Sequence, residues 1–153
     1  MHELVRPRGG HFVYSATEID VMQRDTLHIK ELGATGVVFG ILQADRRIDV
    51  ATMRALVQLA RPLEVTFHRA FDTTPSLPQA LEDVIATGAD RLLTSGGKRN
   101  VVAGSAALAE LVRLAGQRIE VAVGGGLRLQ NAALLARTTH AKYFHGSLHR
   151  RLK

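Results

Sequence analysis

Residues 64–72 read Glu-Val-Thr-Phe-His-Arg-Ala-Phe-Asp, an alternating β-branched and aromatic run that turns directly into a polar cluster. Alternation predicts a strand over 64–68, with Val65 and Phe67 facing covering helices and Thr66 and His68 facing the opposite side. Downstream, Ser76-Leu77-Pro78-Gln79 starts a helix that buries Leu81, Val84 and Ile85 and ends at Gly88. Residues 91–94 (RLLT) form the next strand, followed by Thr94-Ser95-Gly96-Gly97-Lys98 and a helix carrying Leu108, Leu111, Val112 and Ala115. Residues 119–123 (IEVAV) run into Gly124-Gly125-Gly126 and a short helix around Leu134 and Leu135; residues 142–145 (KYFH) then lead into Gly146-Ser147.

Upstream the same unit repeats. Residues 36–42 (GVVFGIL) read as a buried strand, and Asp49 caps a helix whose Met53, Leu56, Val57 and Ala60 form an apolar stripe before Arg61-Pro62. Leu4-Val5 opens the first strand, ended by Arg6-Pro7-Arg8-Gly9-Gly10. Ser15, three residues before Glu18, makes a capping box for a helix with Ile19, Met22, Ile29 and Leu32 on one face, closed by Gly33.

Strands thus begin near residues 4, 36, 64, 91, 119 and 142. Strict βα alternation at this pitch means a parallel sheet with right-handed crossovers. An open doubly wound sheet and part of an eight-fold (β/α) barrel, which needs roughly 31 residues per unit, both meet that condition. Polar or Gly-rich residues follow nearly every strand, as loops converging on one mouth would require, and this favours the barrel. Six strands cannot close a barrel of eight. We therefore expect a single α/β domain over 1–153 with an incomplete TIM-barrel-type fold, six units of eight, in a chain shortened by two N-terminal units and a C-terminal helix.

Composition narrows the class. The chain has 153 residues, 46% of them apolar and 22% charged, with mean hydropathy near zero, enough for a globular core. No apolar run reaches the length of a spanning helix, so no membrane association is expected. The N-terminus has charges and a Pro where an export signal needs apolar residues; a cytoplasmic protein is the expectation. The formal charge of +6 invites a nucleic-acid partner, but the basic residues are scattered apart from the C-terminal His149-Arg150-Arg151-Leu152-Lys153, and no aromatic is interleaved with them to stack bases. The absence of cysteine removes disulfides, thiolate metal sites and a cysteine nucleophile.

The loop motifs carry a resemblance. Arg6-Pro7-Arg8-Gly9-Gly10 with Phe12-Val13-Tyr14-Ser15 resembles the RPRGG-x-F-x-YS signature of the CutC copper homeostasis family. So do ELGA-x-GVVFGIL over 31–42, VTFHRAFD over 65–72, LLTSGG over 92–97, GGG over 124–126 and FHGS over 144–147, in the family's order. The resemblance implies a (β/α)₈ barrel, a cytoplasmic location, a homo-oligomer and copper handling. The family's two further N-terminal strands, with acidic residues and cysteines proposed for copper, have no counterpart in this sequence.

The residues themselves suggest a second class, an enzyme or binder of a small anionic or phosphorylated molecule. Arg6 and Arg8, two apart at a strand end, are expected to point both guanidiniums into the mouth, where they hold a carboxylate or phosphate or pair with acidic neighbours. His68 is a candidate general acid or base, with Asp72 orienting its ring and Arg69 holding an anionic group; Arg69 and Asp72 equally suit a loop-stabilising pair. Thr94 and Ser95 offer hydroxyls, in a ligand loop or a plain turn. Gly124, Gly125, Gly126, Gly146 and Ser147 follow the last two strands, where many barrels bind phosphate; close ligand approach or tight packing has to justify three consecutive glycines. His145 serves the mouth or ends a strand, and with His68 could join on an imidazole metal, though no HxH or HExxH spacing supports it. Cu(I) prefers sulfur, and Met22 and Met53 lie on apolar helix faces. No cofactor other than copper is implied. A third class is a non-catalytic remnant or assembly partner.

Overall fold

A computed structural model describes residues 1–146; Ser147 lies outside the described residues. Six strands alternate with helices: β1 (His2–Leu4), α1 (Ala16–Glu31), β2 (Gly36–Phe39), α2 (Val50–Ala60), β3 (Glu64–Phe67), a 3₁₀ turn (Arg69–Thr73), α3 (Leu77–Thr87), β4 (Arg91–Thr94), α4 (Ser105–Ala115), β5 (Glu120–Gly124), α5 (Leu129–Thr139) and β6 (Tyr143–His145). All strand pairs are parallel and the order is β1-β2-β3-β4-β5-β6. That order settles the choice between the two architectures, because a doubly wound sheet reverses its strand order at a switch point and this one never does. With right-handed crossovers throughout, every helix falls on one face and the sheet curls away from them into a half-barrel.

Local chemistry sets the elements. The α1 capping box is formed both ways, Glu18 N–H donating to Ser15 Oγ at 3.2 Å and Ser15 N–H to Glu18 Oε2 at 2.7 Å. Asp49 accepts from Thr52 N–H at 3.1 Å to start α2, and Gly88 ends α3 at φ +82. Pro78 sits in the first turn of α3, where no intrahelical donor is lost. Several expected boundaries shift, among them β1, which runs His2–Leu4 where Leu4-Val5 was expected to open it. β2 ends at Phe39 rather than continuing to Leu42, which bridges antiparallel to Ile48. Leu32 caps α1 and is 72% exposed, because the buried stripe of that helix runs through Met22 and Thr26 and ends before it.

Side-chain alternation sorts the sheet. Val37, Phe39, Val65, Phe67, Leu92, Val121 and Val123 face the helices and are buried, most of them completely. Thr66 and His68, expected on the opposite face, are there, with Leu4, Val38, Leu93 and Ala122 beside them. Among the described residues no helix is long and apolar enough to cross a membrane.

Candidate functional site

The concave face encloses a cavity of about 810 Å³. Its floor is an ion-pair layer. Arg91 donates to Glu64 Oε1 and Glu120 Oε2, both at 2.7 Å, and His2 Nε2 lies 2.9 Å from Glu64 Oε2. Hydrogen bonds from Tyr143 and then from Arg91 hold the Glu120 carboxyl below its ordinary pKa. The Arg91 charge is therefore spent within the floor.

The upper wall differs. His68 follows β3 and caps the 3₁₀ turn, its Nδ1 accepting from Ala70 N–H at 3.2 Å. The ring is 8% exposed, and burial, helped by the charge of Arg6, pulls its pKa down to about 4 although its own backbone carbonyl acts in the other direction. It is a neutral imidazole at pH 7. Phe12 packs against it with ring centroids 5.0 Å apart and also lies under the Arg6 guanidinium at 4.7 Å. Arg6 donates one bond, to Gly10 O at 2.7 Å, and pairs with no carboxylate among the described residues. Arg6 Nε, Thr66 Oγ1 and His68 Nε2 are all buried without a hydrogen-bond partner, and all three residues line this cavity.

Arg8 does not join Arg6. β1 ends at Leu4, so the strand alternation that would aim both guanidiniums alike has lapsed by residue 6. Arg8 turns to Glu18 instead, with Nε to Oε1 at 2.5 Å, donates to Val13 O at 2.8 Å, and stacks on Tyr14 at 5.0 Å, clamping the loop to the start of α1.

Asp72 also departs from its expected role. It does not orient the His68 ring, a task the Ala70 amide performs. Its carboxylate accepts from Thr94 Oγ1 at 2.5 Å, Ser95 N–H at 3.1 Å, Ser95 Oγ at 3.0 Å, Gly97 N–H at 2.9 Å and Arg69 Nε at 2.8 Å. The hydroxyls of Thr94 and Ser95 are thus turned inward and both residues are fully buried. Arg69 bonds Ser95 Oγ at 2.8 Å as well. These four residues tie the segment after β3 to the loop after β4, and Arg69 and Asp72 border the cavity.

Packing accounts for the triple glycine. A Cβ on Gly124 would stand 2.6 Å from Leu93 Cδ1, on Gly125 2.8 Å from an Arg69 guanidinium nitrogen, and on Gly126 3.0 Å from Asn100 Cβ. Gly125 and Gly126 also adopt φ of +109 and +78. Gly146 packs against Leu127, and His145 on the exposed edge strand borders the cavity.

Gly40 was not among the expected site residues. A Cβ there would lie 2.6 Å from His68 Nδ1, so its missing side chain is the slot that holds the ring. A glycine inside the apolar run 36–42 is the sequence signal for such a close approach.

A copper site finds few donors. Met22 and Met53 are fully buried in the core, there is no cysteine, and no group of three His, Cys, Asp or Glu is placed to hold an ion among the described residues. The donor set does not fit a sulfur-preferring ion.

Comparison with known proteins places this site in a family. The CutC family model matches residues 1–150. The chain belongs to the CutC family. A CutC family protein of Chromobacterium violaceum is 49% identical over 147 residues, covering 96% of this chain and 60% of that protein. One from Bacteroides fragilis is 40% identical over 153 residues, covering the whole of this chain and 61% of that protein. The chain thus spans about 60% of the length of these CutC relatives. The crystal structure of a Streptococcus agalactiae CutC, whose name assigns it to copper homeostasis, superposes with a TM-score of 0.88 at 33% identity, over 94% of this chain and 70% of that one. A structure named native KDPGal shares the fold alone, at 18% identity and TM-score 0.56, over 95% of this chain and 59% of that one.

Proposed function

We propose that the concave mouth of this CutC-family chain binds a small molecule bearing a carboxylate or phosphate group. One observation carries the reading: Arg6 Nε, Thr66 Oγ1 and His68 Nε2 are buried and unpartnered, and all three residues line this cavity. Buried polar groups are rarely left unsatisfied, and each costs about 1–3 kcal/mol when they are. The Arg6 charge, uncompensated by a carboxylate among the described residues, selects an anion to satisfy them. Arg69, whose charge is paired with Asp72, borders the cavity and leaves Arg6 as the cation without a carboxylate on it among the described residues.

The copper-homeostasis name of the Streptococcus agalactiae relative supports a second reading, copper as cargo. Calorimetric titration of the purified chain with inorganic phosphate, oxalate and copper separates the two. The anion reading expects saturable phosphate or oxalate binding, weakened about 10- to 100-fold by Arg6→Gln, the equivalent of one charge-assisted hydrogen bond. Stoichiometric copper uptake lost on replacing His68 and His145, with no anion binding, would overturn it.

A further inference from the structure

We infer that His68 is locked by the Ala70 amide as the Nε2–H tautomer and serves the mouth as a hydrogen-bond donor to a carbonyl, carboxylate or phosphoryl oxygen, not as a base that takes a proton from the ligand. This rests on the anion-binding reading of the same cavity and gives His68 a defined part in it.

The argument is one of lone pairs. A neutral imidazole has one nitrogen that accepts and one that donates. Ala70 N–H donates to Nδ1 at 3.2 Å, so Nδ1 is the acceptor and the proton resides on Nε2. The ring cannot easily turn over. It lies in the slot left by Gly40, with Phe12 at 5.0 Å and Phe67 at 6.0 Å between centroids. Nε2 therefore carries the N–H, on a residue that lines the cavity, and with Arg6 Nε, Thr66 Oγ1 and Tyr14 Oη it is one of four buried side-chain atoms without a partner among the described residues. Burial keeps the ring neutral at pH 7, so no second proton changes its sense.

A consequence for the ligand follows. The atom opposite Nε2 must offer a lone pair and not a hydrogen, as a carbonyl or oxyanion oxygen always does. Thr66, two residues back on the same face of β3, can donate or accept; Arg6 supplies the positive charge. An anionic carbonyl compound suits this set: Arg6 takes its anionic group, and His68 draws electron density onto the carbonyl oxygen without removing a proton. Any base acting on such a ligand has to be another group.

Long-range ¹H–¹⁵N spectra of histidine-labelled protein test the tautomer without ligand. We expect Nδ1 of His68 to be unprotonated and Nε2 to carry the proton, unchanged from pH 7 to pH 5. Protonation of Nδ1, which would aim it at the residue's own carbonyl, averaging over both tautomers, or a titration midpoint near 6.5 each overturns the inference. Inorganic phosphate and pyruvate then test the role. His68→Gln keeps an N–H at about the reach of Nε2 and should bind within about threefold of the parent, whereas His68→Ala should lose about tenfold, the equivalent of one buried hydrogen bond. Equal affinities of the two variants overturn the donor role. If neither anion binds the parent protein, the anion reading falls and the role with it, while the tautomer stands on its own spectra.

Discussion

Replacing Asp72 by Asn alters one atom and opposes it to a hydrogen-bond donor. The carboxylate collects Thr94 Oγ1, Ser95 N–H, Ser95 Oγ, Gly97 N–H and Arg69 Nε, and its side chain is 8% exposed. An asparagine oxygen left facing Thr94 and Gly97 sets its amide N–H₂ against Arg69 and Ser95. Ser95 can rotate its hydroxyl to accept. Arg69 cannot, since a guanidinium only donates, so one charge-assisted bond worth about 1.5–3 kcal/mol is lost. Arg69 is 40% exposed, and water recovers part of the deficit at that end. We therefore expect a destabilisation of about 1–2 kcal/mol. In urea, with a slope of roughly 2 kcal/mol per molar, the midpoint should fall by about 0.5–1 M with the slope unchanged. A midpoint within about 0.2 M of the parent would refute the view that Asp72 binds the two loops together.

Acid should weaken the protein through His68. Its folded pKa of about 4 lies below the unfolded value of 6.5, so the unfolded chain binds the extra proton between them; the stabilisation is complete above pH 6.5 and is lost as pH falls toward 4. The ceiling is on the order of 3 kcal/mol. The urea midpoint should fall further between pH 7 and pH 4.5 for the parent than for His68→Gln, and equal falls in the two proteins would contradict the burial argument. Gly40→Ala puts a methyl 2.6 Å from His68 Nδ1 and 3.2 Å from Phe67 Cε1. It should cost about 1–3 kcal/mol by overpacking and return the His68 titration toward 6.5 by NMR; an unchanged titration would mean the slot is not what holds the ring.

Much of the scaffold was legible because local chemistry specifies it. Ser15 and Glu18 cap each other, Asp49 starts α2 and Gly88 stops α3, each within a few residues of sequence. Alternation placed Thr66 and His68 on the concave side because β3 is a regular strand. The same rule misplaced Arg8, since the chain leaves extended geometry after Leu4. Asp72 was drawn toward the nearby His68, but its partners Thr94, Ser95 and Gly97 lie more than twenty residues along the chain and meet it only once β3 and β4 pair. Three glycines in a row announced crowding without saying by what, and at Gly125 the crowding atom is the guanidinium of Arg69. Membership of the CutC family was legible from the loop motifs, which lie where the strands end.

The unbroken strand order also shapes how such a chain assembles. Each strand finds its neighbour one helix further along, so the pairing steps close loops of similar, moderate length and none has to wait for distant ends to meet. Assembly can spread like an opening fan, rib by rib, from a central pair such as β3 and β4. The outermost ribs, His2–Leu4 and Tyr143–His145, are braced from a single side among the described residues and would be last to set and first to fray.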